Sequence, residues 1–347
     1  MNENPPYIAD ILAQPIALRD ALEHYPSEKI ASIRTRLERG DFNRIVLTGM
    51  GSSYNSAYPA WLKLSVLPVP VLHVNTAELL HYSQGLIDAR TLVWMNSQSG
   101  RSAEIVRQLD QLELKRPACL LSMTNNLDSP LGLQADAALP IYAGLEATVS
   151  TKTYVNMLAM LTLAAEQLIG GDWQGLRRSM FGAADAMETY LSKFEEHVAE
   201  LEQLLGKVNQ LFILGRGPSL GAVWNGALIN KEAAKCAFEG MNAADFRHGP
   251  LELAAPTLTV LVLEGAPQTM SLNRDLAREI TEYGGKALWL AMHPDPTLPT
   301  LLIPAVDENV RTLVEILPLQ MLTIVMARRN GFEPGSFRHI GKITTQE

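Results

Sequence analysis

The chain has 347 residues, and a length of this kind predicts about two domains of roughly 100–200 residues each. Hydrophobic residues make up 47% and charged residues 19% of the sequence, which excludes a disordered chain and leaves material for a large core. The net charge of −8 argues against nucleic acid as a main partner, because binding to a phosphate backbone needs a basic surface.

The N-terminal residues and the two cysteines predict a cytoplasmic protein. Residues 1–14 lack a basic segment followed by a long apolar stretch, so they do not resemble a signal peptide. The apolar segment Met157–Ala165 is shorter than the about 20 residues that cross a bilayer. Cys119 and Cys236 are far apart and match no metal-ligand spacing. We therefore expect no membrane partner and no disulfide framework.

Short apolar runs alternate with longer helical patterns along the chain. Residues 1–40 form a predicted helical extension, and strands are predicted at 44–49, 70–74, 91–96, 117–123 and 137–141, and then at 210–215, 257–263, 286–292 and 301–306. These runs are apolar on both faces, as in parallel strands that are covered by helices. The alternation predicts α/β domains, each with a doubly wound parallel sheet.

The second half of the chain repeats the first. Gly49 and Gly51 align with Gly215 and Gly217, and the strand at 91–96 aligns with the strand at 257–263 at the same offset. Such an ordered repeat predicts a duplicated domain. The predicted boundaries are 1–40 for the extension, 41–172 for the first domain, 173–206 for a helical linker, 207–330 for the second domain and 331–347 for a tail that contributes to the site.

Three loops of the first domain are rich in hydroxyl groups at predicted helix starts. Their candidate ligand-binding residues are Gly51, Ser52 and Ser53, then Ser97, Gln98, Ser99 and Ser102, and finally Ser150 and Lys152. Short donors at a helix N-terminus suit a phosphate group, and ligands of open α/β folds sit beyond the carboxyl ends of the strands. The alternative is that these serines only cap helices or form polar turns. The matching loops of the second half lack such donors, so we expect phosphate binding in the first domain.

Several common catalytic patterns are absent from the sequence. It contains no Walker A loop and no dinucleotide fingerprint. The seven histidines form no metal-ligand spacing. We therefore expect neither a metal nor a cofactor.

Three ionisable residues are candidates for catalysis. Glu232 lies in a helical run and His248 precedes Gly-Pro in a loop, and the two would act as base and acid if the chain brings them together. Lys342 lies on the tail. The alternatives are a solvated helix face for Glu232, a structural role for His248 and a solvated terminal side chain for Lys342.

These motifs together resemble the sugar isomerase (SIS) superfamily, and most closely the isomerase half of glucosamine-6-phosphate synthase. The resemblance covers nearly the whole chain. Its motifs are Gly51-Ser-Ser-Tyr-Asn-Ser, Asn75-Thr-Ala-Glu-Leu, Ser97-Gln-Ser-Gly, Ser150-Thr-Lys, Leu214-Gly-Arg-Gly, Lys231-Glu232, His248-Gly-Pro-Leu and Ile340-Gly-Lys-Ile-Thr.

The resemblance implies two tandem SIS domains and a sugar phosphate as substrate. It assigns the phosphate to the Ser97–Ser102 loop with help from Ser53, and the proton transfer between C1 and C2 to Glu232. A histidine matching His248 assists ring opening and can come from a neighbouring subunit, which implies a homodimer or a higher homo-oligomer. A lysine matching Lys342 can form a Schiff base with the open-chain ketose.

The chain also departs from the synthase. It has no glutaminase domain, and Asn225 and Ile229 stand where the synthase has a glutamate and a lysine. The resemblance therefore favours an amino-sugar phosphate deaminase or a deglycase over a simple aldose–ketose isomerase. A different class remains open, in which the protein is a regulator that binds a phosphosugar without turnover.

Overall fold

The structure is a computed structural model that describes residues 4–339 and 341–347. Residues 1–3 of the predicted extension and Ile340 of the predicted tail lie outside the described residues.

The chain forms two compact units, and each contains one sheet. The first unit comprises residues 16–146, 150–181 and 338–347, and the second comprises residues 4–15, 147–149 and 182–337. The domain boundaries stated above stay predictions. The last residues of the chain thus belong to the first unit, although the sequence places them after the second.

All ten strands pair in parallel with their neighbours. The first sheet contains β1 (Arg44–Gly49), β2 (Val71–Asn75), β3 (Thr91–Asn96), β4 (Cys119–Thr124) and β5 (Ala137–Pro140). The second contains β6 (Gln210–Gly215), β7 (Glu239–Asn242), β8 (Leu258–Leu263), β9 (Lys286–Ala291) and β10 (Thr300–Leu302).

Fifteen α-helices in the described residues flank the strands and supply the ends of the chain. They are α1 (Pro6–Leu12), α2 (Gln14–Glu23), α3 (Ser27–Glu38), α4 (Gly51–Asn55), α5 (Tyr58–Leu64), α6 (Thr76–Tyr82), α7 (Ala103–Leu114), α8 (Pro130–Gln134), α9 (Lys152–Ile169), α10 (Trp173–Leu191), α11 (Phe194–Leu205), α12 (Leu220–Ala234), α13 (Ala243–Phe246), α14 (Pro267–Glu282) and α15 (Ile316–Arg329). Short 3₁₀ segments occur at Gln84–Leu86, Gly217–Ser219, Pro250–Leu253 and Glu308–Leu313.

The two sheets have the same strand order, which confirms the prediction of tandem doubly wound domains. The first sheet runs β2-β1-β3-β4-β5 and the second runs β7-β6-β8-β9-β10. Every residue of β3, β4 and β8 is buried, as expected for strands with helices on both faces. In the first sheet β2 and β3 lie on opposite sides of β1, and in the second sheet β7 and β8 lie on opposite sides of β6. The strand order therefore reverses between β1 and β3 and between β6 and β8. Ligands of folds of this type bind at such a switch point, beyond the carboxyl ends of the strands.

The structure differs from the sequence expectations at three elements. No strand was predicted at β7, which holds the edge position of the second sheet. The predicted strand at 301–306 is confined to β10, and Ile303 and Pro304 follow it as irregular backbone. The predicted helical linker 173–206 is two helices, α10 and α11, with a break at Ser192 and Lys193.

The segment Glu308–Arg329 is apolar and long enough to cross a membrane by length and composition, but 94% of its most hydrophobic window is buried inside the protein. It includes α15, which packs against α12 and α11 in the second unit. A core helix of a globular unit passes the same length test. This segment is longer than Met157–Ala165, the apolar segment that the sequence singles out.

The N-terminal residues pack on α15 through buried polar contacts within the second unit. Gln14 and Gln320 exchange two side-chain hydrogen bonds of 2.9 Å, and both side chains are fully buried. The hydroxyl groups of Thr323 and Tyr7 lie 3.2 Å apart. Buried amides need such partners, so these bonds fix Tyr7 and Gln14 against α15.

A buried charged cluster occupies the carboxyl ends of β6 and β8. Glu264 pairs with Arg311, and both side chains are less than 7% exposed. The Ser219 hydroxyl donates to Glu315 at 2.8 Å. Burial raises the pKa of Glu315 to about 7, while the bond from Ser219 and the charge of Arg311 oppose this shift. Glu315 therefore changes its charge close to neutral pH inside the core.

We expect the stability of the protein to fall as pH rises through 7, because the folded state holds the Glu315 proton more tightly than the unfolded state does. The contribution is complete below the ordinary pKa of 4.5, and about 3 kcal/mol is lost by pH 8. Urea unfolding of the wild type and of Glu315→Gln across pH 4.5–8 measures it. The variant should lack this part of the slope, and identical profiles would contradict the assignment.

Candidate functional site

The loops that follow β1 and β3 meet at the switch point of the first sheet. Gly49, the last residue of β1, pairs with Asn96, the last residue of β3, and the Asn96 amide donates to the Thr48 carbonyl at 3.3 Å. A Cβ atom at Gly49 would lie 2.9 Å from the Asn96 carbonyl oxygen. Glycine is therefore required for this close approach of the two strand ends.

The Ser97–Ser102 loop is folded by its own hydroxyl groups. Ser97 Oγ accepts a hydrogen bond from the Gly100 amide at 3.1 Å, and Ser99 Oγ accepts one from the Arg101 amide at 3.2 Å. Ser53 Oγ accepts from the Gln98 amide at 3.3 Å and thereby joins this loop to the loop after β1. A hydroxyl that accepts an amide still carries a proton to donate. These serines therefore stabilise polar turns, as the alternative predicts. Their hydroxyl protons can still be donated to an anion.

Gly100 allows the turn at the centre of this loop. Its φ angle is +63°, and a Cβ atom there would lie 2.0 Å from Ser129 Oγ. An L side chain would be strained in this conformation and would also collide with the residue before α8. The loop conformation thus depends on a glycine in the Ser-Gln-Ser-Gly motif.

Helix capping does not account for the hydroxyl groups of the three loops within the described residues. The residue before α4 is Met50, so neither Ser52 nor Ser53 holds the N-cap position. Ser102 precedes α7 and Thr151 precedes α9, and neither side chain makes a capping hydrogen bond. The capping alternative is therefore wrong for these helices in this structure.

The third loop leads into α9 and is held by buried contacts. Ser150 Oγ lies 2.8 Å from Thr153 Oγ1. Lys152 is only 8% exposed, and its Nζ donates to the Leu145 carbonyl at 2.6 Å. Lys152 thus braces the loop from inside.

Glu146 is the centre of this loop, although no sequence motif points to it. Its side chain has no exposed area. It accepts hydrogen bonds from the backbone amides and the hydroxyl groups of Thr151 and Thr153, at distances of 2.7–3.0 Å. A buried carboxylate is stable only with such a set of donors. Glu146 therefore sets the shape of the loop that carries Ser150 and Lys152.

Lys342 completes the set of donors around Glu146. Its Nζ lies 2.5 Å from Glu146 Oε2, and its side chain is 25% exposed. Two residues further on, the Thr344 carbonyl accepts a hydrogen bond of 3.1 Å from the Ala103 amide, the first residue of α7. The structure thus brings Lys342 to the hydroxyl-rich loops of the first unit, and the solvated-tail alternative does not describe it.

Glu232 and His248 belong to the second unit. Glu232 is half-buried in the last turn of α12, where the Lys235 side chain donates to its backbone carbonyl. His248 is exposed and follows α13, in the turn before Gly249, whose φ angle is +138°. The two residues lie on separate elements of one unit. Their roles stay predictions.

The helix that carries Glu232 has no charged residue at two positions where the resemblance to the synthase places charges. Asn225 and Ile229 are fully buried, so neither adds a charge to the surface of α12. Glu232 is the ionisable residue among these three positions.

No group of three or more potential metal ligands occurs among the residues that the structure describes. Cys119 and Cys236 are both buried and unpaired with each other. Burial raises the pKa of the Cys119 thiol to about 11, with smaller opposing contributions from Arg36, so this thiol is a poor nucleophile.

The SIS domain family model matches residues 41–167, which contain all three hydroxyl-rich loops. The chain is 28% identical over 351 residues to glutamine–fructose-6-phosphate aminotransferase (isomerizing) of Pyrococcus horikoshii, covering 98% of this chain and 57% of that relative. The chain therefore spans somewhat more than half the length of this curated relative.

Solved structures share the fold along nearly the whole chain. The C-terminal domain of glucosamine-fructose-6-phosphate aminotransferase from Francisella tularensis has a TM-score of 0.83 at 19% identity, covering 96% of this chain and 98% of that one. Glucosamine-6-phosphate deaminase from Thermotoga maritima has a TM-score of 0.74 at 18% identity, covering 99% and 100%. At these identities the likeness concerns the fold alone.

Ser53 and Ser219 provide a matched test of which unit binds phosphate, because they occupy equivalent positions of the repeat. We expect Ser53→Ala to weaken the binding of inorganic phosphate about tenfold, as for the loss of one hydrogen bond to a charged group. Ser219→Ala should leave binding unchanged and lower the melting temperature, because it removes the bond to Glu315. Calorimetry of both variants measures this. Weaker binding in Ser219→Ala alone would place the phosphate in the second unit.

Proposed function

We propose that the protein is an enzyme that acts at C1 and C2 of a ketose or amino-sugar 6-phosphate, and the match of the SIS domain family model to residues 41–167 supports this proposal. The observation that carries the proposal is the meeting of Lys342 with the hydroxyl-rich loops through Glu146. The hydroxyl-rich loops would bind the phosphate group and the Lys342 amine would bind a carbonyl group. One unit that holds both suits a phosphorylated carbonyl substrate.

The phosphate end of the substrate is held by neutral donors. The hydroxyl groups of Ser97, Ser99 and Ser102 stand at the N-terminus of α7, and Ser53 joins them from the neighbouring loop. The partial positive charge of a helix N-terminus favours an anion. Gly51, Ser52 and Gln98 lie in the same two loops, and Ser150 and Lys152 supply the third side.

The carbonyl end of the substrate requires an acid and a base. In this proposal His248 opens the sugar ring, and Glu232 carries the proton between C1 and C2. Lys342 stabilises the open chain or holds it as a Schiff base, in which its amine adds to the carbonyl carbon and water leaves. Glu146 supports this role because it fixes the Lys342 side chain beside the cradle.

Cleavage of a carbon–nitrogen bond is the favoured outcome. In a fructosamine 6-phosphate, Glu232 removes a proton from C1 and returns it to C2, the C2 oxygen gains a proton and the nitrogen loses one. The product is an imine at C1. Water then adds to this carbon and the C–N bond breaks, which gives an aldose 6-phosphate and a free amine. The uncharged Asn225 and Ile229 support release of the amine over its synthesis, since the helix lacks the charges that the synthase resemblance places there.

The remaining features of the proposal concern the state of the protein. It acts in the cytoplasm as a homodimer or a higher homo-oligomer, with His248 exposed for a site shared between subunits. It uses neither a metal nor an organic cofactor. An aldose–ketose isomerase is the alternative outcome of the same proton transfer, and a phosphosugar-binding regulator is the outcome without turnover.

Incubation with defined substrates tests the proposed activity. Glucosamine 6-phosphate and fructosamine 6-phosphates of amino acids are supplied separately, and released amine and sugar phosphate products are measured by mass spectrometry. Amine release supports a deaminase or a deglycase, and interconversion of sugar phosphates without amine release supports the isomerase. Tight binding with no product from any of them would leave the regulator.

Glu232→Gln should lower kcat by about 10²- to 10⁴-fold, because it removes the general base. The KM should change little, since the phosphate loops belong to the other unit and stay intact. Glu282→Gln, an exposed substitution on α14 of the same unit, is the matched control and should retain wild-type kinetics. A kcat in Glu232→Gln equal to that of the control would remove Glu232 from the mechanism.

A further inference from the structure

The end of the tail is fastened to α7 and α6 by side chains that the proposed mechanism does not use. Glu347 Oε2 pairs with Arg107 and lies 3.4 Å from His81 Nε2. The Glu347 side chain is 20% exposed, although Arg107 is 59% exposed. We call these three residues, Arg107, His81 and Glu347, the tail clasp. All three belong to the first unit.

The clasp acts on the same helix that receives the phosphate loop. Ala103 and Arg107 are four positions apart on α7, so they lie on one face of the helix. The Ala103 amide holds the Thr344 carbonyl at 3.1 Å, and Arg107 holds the Glu347 side chain one turn later. The tail therefore runs along α7 from its first residue, directly after the Ser97–Ser102 loop.

Two contacts restrict the position of Lys342, one made by its side chain and one made by the backbone that follows it. Its Nζ meets Glu146, and Thr344 is bound to α7. Two residues of extended chain span at most about 7 Å, so the bond at Thr344 confines the position of Lys342. The clasp at Glu347 holds the residues after Thr344 on α7.

We propose that the tail clasp is a positioning device that holds Lys342 toward the open chain of the sugar phosphate bound by the first unit. The inference rests on the proposed function and adds residues to it. Arg107, His81 and Glu347 act through Lys342, without touching substrate. Exposed ion pairs contribute little to global stability, so the clasp governs the placement of the tail and leaves the fold of the unit unchanged.

Two measurements on the full chain test this role. The first is the rate at which trinitrobenzenesulfonate modifies Lys342, followed by peptide mass spectrometry, because a released tail exposes this amine. The second is reductive trapping with fructose 6-phosphate and borohydride: the Lys342 amine adds to C2, water leaves, and hydride reduces the imine to a stable secondary amine.

Arg107→Ala and Glu347→Gln should each raise the modification rate of Lys342 and lower both trapping and kcat by about two- to fivefold, with KM nearly unchanged. Arg107→Lys keeps the charge and should restore most of the loss. The double exchange Arg107→Glu with Glu347→Arg should do the same, as expected for a direct pair. Arg116→Ala, which removes an exposed pair with Asp136 elsewhere in the first unit, is the matched control and should match wild type in every measurement.

The outcomes separate the clasp from the proposed function. Unchanged modification of Lys342 in Arg107→Ala and Glu347→Gln overturns the clasp. Faster modification with unchanged trapping and unchanged kcat overturns its positioning role. If the wild type neither turns over a phosphosugar nor traps fructose 6-phosphate, the proposed function fails, and the modification rates still decide whether the clasp holds the tail.

Discussion

The burial of one carboxylate, Glu146, constrains the whole candidate site of the first unit. A carboxylate without exposed area must be surrounded by donors, and here they come from Thr151, Thr153 and Lys342. Two of these donors shape the loop before α9, and the third belongs to the far end of the chain. The requirement to satisfy one charge thus orders a loop and a tail at the same time.

The two units show how the same fold can carry the proposed ligand site in one copy and a buried charged cluster in the other. Both sheets have the same strand order and therefore the same switch point. In the first unit the switch point is lined by serines in neutral turns. In the second unit the aligned positions hold Ser219 and Glu264, which face Glu315 and Arg311 in a buried charged cluster. Buried carboxylates repel a phosphate group. The shared strand order and switch point are therefore not sufficient to form a phosphate site.

Periodicity predicted most of the fold because fully buried parallel strands are continuous apolar runs. The exceptions have physical reasons. Strand β7 contains Glu239, Gly240 and Asn242 and holds a sheet edge, so it carries no apolar run. The predicted strand after Thr300 ends early because Pro304 lacks an amide hydrogen for the ladder.

The candidate site was predictable only in part. The serines of the Ser97–Ser102 loop follow directly from their position after an apolar run. The role of Glu146 could not be predicted in this way. Thr151 contacts it across irregular backbone, and Lys342 is distant in the sequence. Glu347 likewise gains meaning only when the tail folds back on α7. Local sequence patterns predict helices and strands, whereas contacts between distant loops require the folded chain.

A crystal structure of the protein with bound fructose 6-phosphate tests the central claim most directly. The account predicts phosphate oxygens within hydrogen-bond distance of the hydroxyl groups of Ser97, Ser99 and Ser102, with C2 of the sugar within reach of Lys342 Nζ. A phosphate bound against the second sheet, with Lys342 still paired only to Glu146 and remote from the sugar, would contradict it.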